Sequence, residues 1–259
     1  MATLAQRNPE AIVYRRNAAR LVQVPTPQAK RVEPLDVDEA CRLLAAAKDD
    51  RLYALWAVVI GVGLRRGEAL ALRWQDVDLD EGWLRVEQTL QRVGRSLQFG
   101  TPKTALSNRK IPLPAVCVSA LRAHQARQAR ERAALGSAWT ESGLVFPTTI
   151  GTPMEPGNLR RDLRAVCSRA EVGGHWVSEG TDSSGRPRKR WVQRLRIHDL
   201  RHTCASLLLA QGVSARVVME ILGHSRISLT MNTYTHVLPV LYDEAATKMS
   251  AALSGDVSC

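Results

Sequence analysis

WLRVEQTLQRVGRSLQFGTPKTALSNRKIPL, residues 83–113, is the stretch that decides the fold class of this chain. It follows the turn signal Asp80-Glu81-Gly82, and WLRVEQTL then alternates apolar and polar residues with the period of a half-buried strand. SLQF and RKIPL are further short strand candidates, so 83–113 reads as one small antiparallel sheet. Strands so few and so clustered exclude a doubly wound sheet, in which strands and helices alternate along the whole chain.

Outward from this sheet the periodicity is helical. Asp36 with Glu39 three residues on has the spacing of a capping box, and Leu43, Leu44 and Ala47 continue an apolar face. Helices are expected over 51–62 and 65–72, with Gly61 and Gly63 as punctuation. Beyond the sheet, helices are expected over 115–133, 157–170, 199–211, 214–222, 228–235 and 240–252. Leu144-Val145-Phe146 reads as a short strand. HWVSEGTDSSGRPRKRWVQ, 175–193, sets two Trp-containing stretches around a Ser/Gly/Pro turn and reads as a hairpin. The class is mainly α with a small antiparallel β-sheet (α+β). Pro25 and Pro27 break any helix before Pro34, so 1–33 is expected to be a basic linker. One domain is expected over 34–252, and 253–259 is expected to be a flexible tail.

Composition narrows the function. The 259 residues are 45% hydrophobic, enough for a core. No apolar run approaches the ~20 residues that span a bilayer, and the opening MATLAQRNPE lacks the apolar region of a secretory signal. The cysteines at 41, 117, 167, 204 and 259 form no C-x-x-C pair, which argues against a disulfide framework or a zinc ribbon and fits a reducing cytoplasm. A net charge of +11 points to a polyanionic partner, nucleic acid by default. A genome that favours arginine codons is the alternative.

Several segments offer chemistry. RIHDLRHT, 196–203, opens a helix whose Leu200, Cys204, Leu207 and Leu208 form an apolar stripe, with His198, Arg201 and His202 on the other side. Three readings stand: an anion site at a helix N-terminus, a solvated face, or a metal site using His198 and His202 at i, i+4. Arg201 beside the histidines disfavours a cation and suits a phosphate, which it can grip with two hydrogen bonds. In GVGLRRGEALALRW, 61–74, Glu68 lies at i+3 from Arg65 and could hold its guanidinium; an ordinary surface pair is the alternative. Lys103, after Gly-Thr-Pro, sits near a tight turn, as solvent decoration or as a proton donor. In LGHSRISLTMNTYTHV, 222–237, His224 follows a glycine at a helix end and Tyr234 comes ten residues later, a core-edge tyrosine or a reactive one. The carboxylates of DVDLDEG, 76–82, resemble a calcium loop but carry Glu81 where glycine is required, and read as a polar turn.

Together these segments resemble the catalytic domain of the tyrosine recombinases, the phage-integrase family, in which Arg, Lys, His-x-x-Arg, His and Tyr occur in that order. The resemblance covers about Pro34 to Ala252. It implies the integrase catalytic-domain fold and a DNA integration or excision enzyme that cleaves and rejoins strands through a covalent 3′-phosphotyrosine, with neither metal nor other cofactor. Tyr234 would be the nucleophile, and Arg65 and Arg201 would hold the non-bridging phosphate oxygens. Lys103 would be the general acid for the leaving 5′ oxygen. His198 would manage the tyrosine proton, His224 would donate to the phosphate, and Glu68 would orient the site. The implied partners are double-stranded DNA at attachment sites, a homotetramer whose tail helix (Val240, Leu241, Ala245, Met249) docks on a neighbour or packs in cis, and directionality or DNA-bending factors. No membrane is implied, and the implied location is cytoplasmic.

Two departures stand out. The family carries a core-binding domain ahead of the catalytic part; here 33 residues precede Pro34, and RNPEAIVY resembles the tail end of such a domain. RPRKRWVQRLR, 186–196, has six basic residues and no acid. Arg188, Lys189 and Arg190 are therefore expected to touch the DNA backbone, against the alternative of a solvated loop. Two other functions fit the same residues: a type IB topoisomerase, and a DNA-binding integrase remnant without catalysis.

Overall fold

The computed structural model describes residues 33–101, 108–182, 184–223, 246–247 and 249–250. The chain divides into two units, 1–31 and 32–259, and every element below belongs to the second.

Helix α1 (Val37–Ala46) starts on Asp36, whose side chain accepts Glu39 N–H at 2.8 Å while Glu39 accepts Asp36 N–H at 3.2 Å. This is the capping box read from the sequence. Helix α2 (Tyr53–Val62) is YALWAVVIGV, apolar on all sides, and it is buried accordingly. It forms the central post of the core and packs against α4 (Ala115–Leu135) and α6 (Ile197–Ala210). Helix α3 (Arg66–Ala71) follows directly, α5 (Pro156–Ala170) packs on α1, and α7 (Ala215–Leu222) packs on α6. Thr203 of α6 accepts Leu35 N–H at 3.0 Å and so ties the start of α1 to the second half of the chain.

The strand region departs from expectation. WLRVEQTL does not form one strand. It divides into β2 (Trp83–Val86) and β3 (Thr89–Val93), which belong to different sheets. β2 lies between β1 (Val77–Asp78) and β5 (Arg109–Pro112), with Leu84 opposite both Val77 and Ile111. β3 pairs with β4 (Ser96–Gly100), Thr89 opposite Gly100. Burial explains the break. Leu84 and Val86 enter the core from β2, and Leu90 enters beside α3 from β3. β1 arises where a polar turn was expected, and the turn itself follows at Asp78, whose Oδ1 accepts the N–H groups of Asp80 and Glu81.

Leu144-Val145-Phe146 is no strand either. It is wholly buried and makes a single bridge, Arg73 to Leu144. Its carbonyls are taken by α4 side chains: Gln128 Nε2 donates to Leu144 O at 3.0 Å, and His124 Nε2 lies 2.7 Å from Val145 O. The hairpin read at 175–193 is present as β6 (Gly174–Thr181) and β7 (Pro187–Gln193), with Trp176 opposite Trp191. Trp191 is buried and anchors the hairpin to the core, whereas Trp176 is exposed.

The helix expected over 228–235 lies outside the described residues. Of that expected over 240–252, residues 246–247 and 249–250 are described, and they are helical and exposed. Among the described residues no helix is long and apolar enough to cross a membrane.

Candidate active site

One local device places two of the candidate arginine segments. Arg65 is the N-cap of α3, and Glu68 at the third helical position folds back on it. Glu68 Oε2 accepts the Arg65 backbone N–H at 3.0 Å, and Oε1 accepts Nη1 at 2.6 Å. Arg196 caps α6 in the same way: Asp199 Oδ2 accepts its backbone N–H at 2.7 Å, and Oδ1 accepts Nη2 at 2.9 Å. Each acid lies in the first turn, where unpaired N–H groups and the helix dipole favour negative charge.

Gly63 joins α2 to α3. Its φ of +66° belongs to the left-handed region that glycine adopts without strain, and a Cβ there would meet Leu222 Cδ2 at 2.3 Å. The close approach brings the end of α7 against the Arg65 turn. Gly223, also left-handed with φ of 65°, ends α7.

The last carbonyls of α7 then meet three different guanidinium groups. Arg109 Nε donates to Ile221 O at 2.7 Å, Arg201 Nη2 donates to Leu222 O, and Arg65 Nη2 donates to Gly223 O at 3.0 Å. Arg201 Nη1 also donates to Gly63 O at 2.7 Å. A helix C-terminus presents unpaired carbonyls and the negative end of its dipole, so it holds cations well.

Glu68 is the shared anion of this cluster. It is 4% exposed and bonds Arg109 as well as Arg65, with Arg109 Nη2 at 3.0 Å from Oε2. Burial alone would push the Glu68 carboxyl up; the Arg109 guanidinium and then Arg65 outweigh it and hold the group below its usual range.

His198 opens toward the surface, and its ring meets that of His202 edge to face at 4.9 Å. Desolvation and the Arg201 charge lower the His198 imidazole. Burial, then His198, push His202 down to about 4. Both rings are therefore neutral near pH 7. Among the described residues, no group of three His, Cys, Asp or Glu side chains is placed to hold a metal ion.

His198 and Arg65 also line a groove of about 1100 Å³ that runs between α3, α5 and β7. Arginines dominate its walls, including Arg160, Arg161 and Arg164 of α5 and Arg190 of β7, and among the described residues no carboxylate lies in the lining. Arg164 is fixed by a 3.0 Å bond to Trp191 O, and Arg190 pairs with Glu179 across the hairpin.

The structure thus joins Arg65, Glu68 and Arg201 around the end of α7, while Arg65 and His198 line a basic groove. Arg201 differs from the sequence reading. It does not share an open face with His198 but is 1% exposed, because α7 and Gly63 cover it. Arg188 and Lys189 are exposed on β7; of the three basic residues named there, Arg190 alone lines the groove. Lys103, His224 and Tyr234 lie outside the described residues.

Sequence reading missed Arg109. Its signal was present: β5 alternates buried and exposed, so Arg109 shares the inward side with Ile111, and an arginine there needs a buried partner. Asp199, 5% exposed, was likewise passed over inside RIHDLRHT.

Known proteins resemble this chain in sequence and fold. Residues 33–239 match the model of the phage integrase family. A XerC-like tyrosine recombinase of Caldanaerobacter subterraneus subsp. tengcongensis is 33% identical over 229 residues, 83% of this chain and 54% of that protein. An integrase of Streptomyces ambofaciens is 33% identical over 233 residues, covering 88% and 55%. The chain therefore spans about half the length of these relatives. Among solved structures, XerA recombinase superposes with a TM-score of 0.61 at 25% identity, over 85% of this chain and 66% of that one. The Tn1549 transposon integrase, in complex with circular intermediate DNA, shares the fold with a TM-score of 0.64 at 21% identity, over 93% and 74%. The chain belongs to the phage integrase family of tyrosine recombinases.

Proposed function

We propose that residues 34–252 form the catalytic domain of a site-specific DNA recombinase, which cleaves and rejoins duplex DNA through a 3′-phosphotyrosine on Tyr234. The observation that carries this reading is that Arg65 and Arg201 bind consecutive carbonyls at the end of α7, while Arg65 and His198 line an arginine-rich groove. Phosphoryl transfer spreads charge over oxygens, and fixed cationic donors stabilise that charge.

In this reading Arg65 and Arg201 bind the non-bridging oxygens of the scissile phosphate. Lys103 protonates the leaving 5′ oxygen, and His224 donates to the phosphate. His198, kept neutral by its surroundings, accepts the tyrosine proton. Glu68 fixes Arg65. With the Arg201 side chain 1% exposed, the phosphate reaches it only as the surrounding chain opens, so substrate binding and pocket opening are coupled. The covalent intermediate conserves the energy of the broken phosphodiester, and rejoining needs no nucleotide cofactor.

The walls of Arg160, Arg161, Arg164 and Arg190 fit a DNA backbone, and Arg188 and Lys189 extend that basic surface along the hairpin. A tetramer on paired duplexes, with the tail helix docking in trans, completes the proposal.

The test uses a library of nicked suicide duplexes of randomised sequence, resolved on a denaturing gel. The native chain forms a covalent protein–DNA adduct, and Tyr234→Phe forms none while still binding DNA. Persistent adducts in the Phe variant overturn the assignment of the nucleophile.

A further inference from the structure

Arg109 starts β5, the strand that follows Lys103 in the chain, and its guanidinium reaches two other segments. Nη2 is 3.0 Å from Glu68 Oε2 and Nη1 is 3.4 Å from Oε1, while Nε donates to Ile221 O at 2.7 Å. Glu68 in turn binds both the backbone and the side chain of Arg65. One buried side chain thus joins the helix of Arg65, the strand after Lys103 and the helix end before His224. The planar fork of arginine suits this three-way role, because it can grip a carboxylate with two nitrogens and a carbonyl with the third.

We propose that Arg109 is a positioning residue for DNA cleavage: through Glu68 it fixes the Arg65 guanidinium, and through Ile221 O it fixes the end of α7. The inference rests on the recombinase reading given above. Arg109 acts on Arg65 only indirectly, by keeping Glu68 ionised and in place. The charged groups acting on Glu68 among the described residues are Arg109 on β5 and Arg65 at the cap of its own helix. With Arg109 removed, burial remains, and the carboxyl takes up a proton more readily. A protonated Glu68 is a poorer acceptor for Arg65. Arg65 then loses its fixed orientation.

The experiment measures single-turnover adduct formation on the selected suicide duplex between pH 5.5 and 8.5. Native protein, Arg109→Lys, Arg109→Gln and Glu68→Gln are compared, each with circular dichroism and a thermal melt. Arg109→Gln cleaves about 10²-fold more slowly at low pH, the scale of a misplaced catalytic group. Its loss grows toward the acid end of the range, because Glu68 without Arg109 takes up a proton more readily, a limb absent from the native profile. Arg109→Lys keeps a cation on Glu68 and with it the native pH profile, but one ammonium cannot also bond Ile221 O, so its rate lies between those of native protein and Glu68→Gln. Glu68→Gln, a fixed mimic of the protonated acid, is as slow as the low-pH limit of Arg109→Gln and shows no such limb.

If Arg109→Gln does not fold, the contrast between Arg109→Lys and Glu68→Gln still decides. A native rate in Glu68→Gln, or an Arg109→Lys chain as slow as Glu68→Gln, overturns the proposal. So does a folded Arg109→Gln chain with the native rate and profile, or equal, pH-independent losses in both Arg109 variants. Native protein that forms no adduct overturns the recombinase reading itself, and the positioning role with it.

Discussion

Replacing Gly63 by alanine tests the junction on which the site is built. Two costs add. The backbone at φ +66° forces an L-residue into the left-handed region, worth about 1–2 kcal/mol. The new Cβ would also lie 2.3 Å from Leu222 Cδ2 and 3.3 Å from Cys204 Sγ. Leu222 is wholly buried and Cys204 is 1% exposed, so neither has open space to move into. Overpacking of this kind costs about 1–3 kcal/mol. Gly63→Ala is therefore expected to lower the free energy of unfolding by about 2–5 kcal/mol. Gly82→Ala is the control: it has nearly the same φ, +68°, but nothing within 4 Å of its Cβ, so it should lose the backbone cost alone. Urea titration followed by tryptophan fluorescence gives both values. The Leu222 carbonyl holds Arg201 and that of Gly63 holds its other nitrogen, so Gly63→Ala should also slow DNA cleavage in protein that remains folded. Equal losses in the two variants would refute the packing argument, because the difference between them is the measure of how closely α7 is pressed against the turn.

Three further outcomes follow. Glu68→Ala, which leaves Arg109 buried without its carboxylate, should cost about 3–5 kcal/mol by urea titration. Glu68 titrates below its usual 4.5 when folded, so its contribution is complete above that pH and is lost as pH falls through the folded value; Glu68→Gln should lack this acid loss. His202 should titrate near pH 4 by NMR, and because the unfolded imidazole titrates near 6.5, native stability should fall between those values by at most about 3 kcal/mol, a slope that His202→Phe removes. Replacing Arg188, Lys189 and Arg190 together by glutamine should flatten the logarithmic salt dependence of DNA binding by about 0.9 for each phosphate that is no longer neutralised, measured by fluorescence anisotropy; an unchanged slope would mark them as a solvated face.

The helices were legible because their signals are local. Asp36 and Glu39 cap α1 as read, the all-apolar α2 is the buried post, and the hairpin around Trp176 and Trp191 pairs those two residues directly. The sheet was half legible. Alternation in WLRVEQTL is real on both sides of Glu87-Gln88, but nothing local says that the two halves turn to different partners. Leu144-Val145-Phe146 has strand composition, yet side chains of α4 satisfy its carbonyls, a tertiary choice without a sequence signature.

At the site, the pairing of Arg65 with Glu68 could be read from their i, i+3 spacing, because a short helix fixes it. The burial of Arg201 could not. It depends on Gly63 and Leu222, 138 and 21 residues away, closing over a side chain whose helical position suggests an open face. The inward side of Arg109 could be read from the alternation of β5, but its partner Glu68, 41 residues distant, could not.

The recombinase chemistry stands or falls on which atom carries the DNA. Adducts from native protein and the suicide library are digested with nuclease and trypsin and sequenced by tandem mass spectrometry. The expected tryptic peptide, 227–248, contains two tyrosines, Tyr234 and Tyr242, so fragmentation must separate them. A nucleotide 3′-phosphate on Tyr234 is the expected result. A nucleotide on Tyr242, on any other residue, or on none contradicts the proposed mechanism.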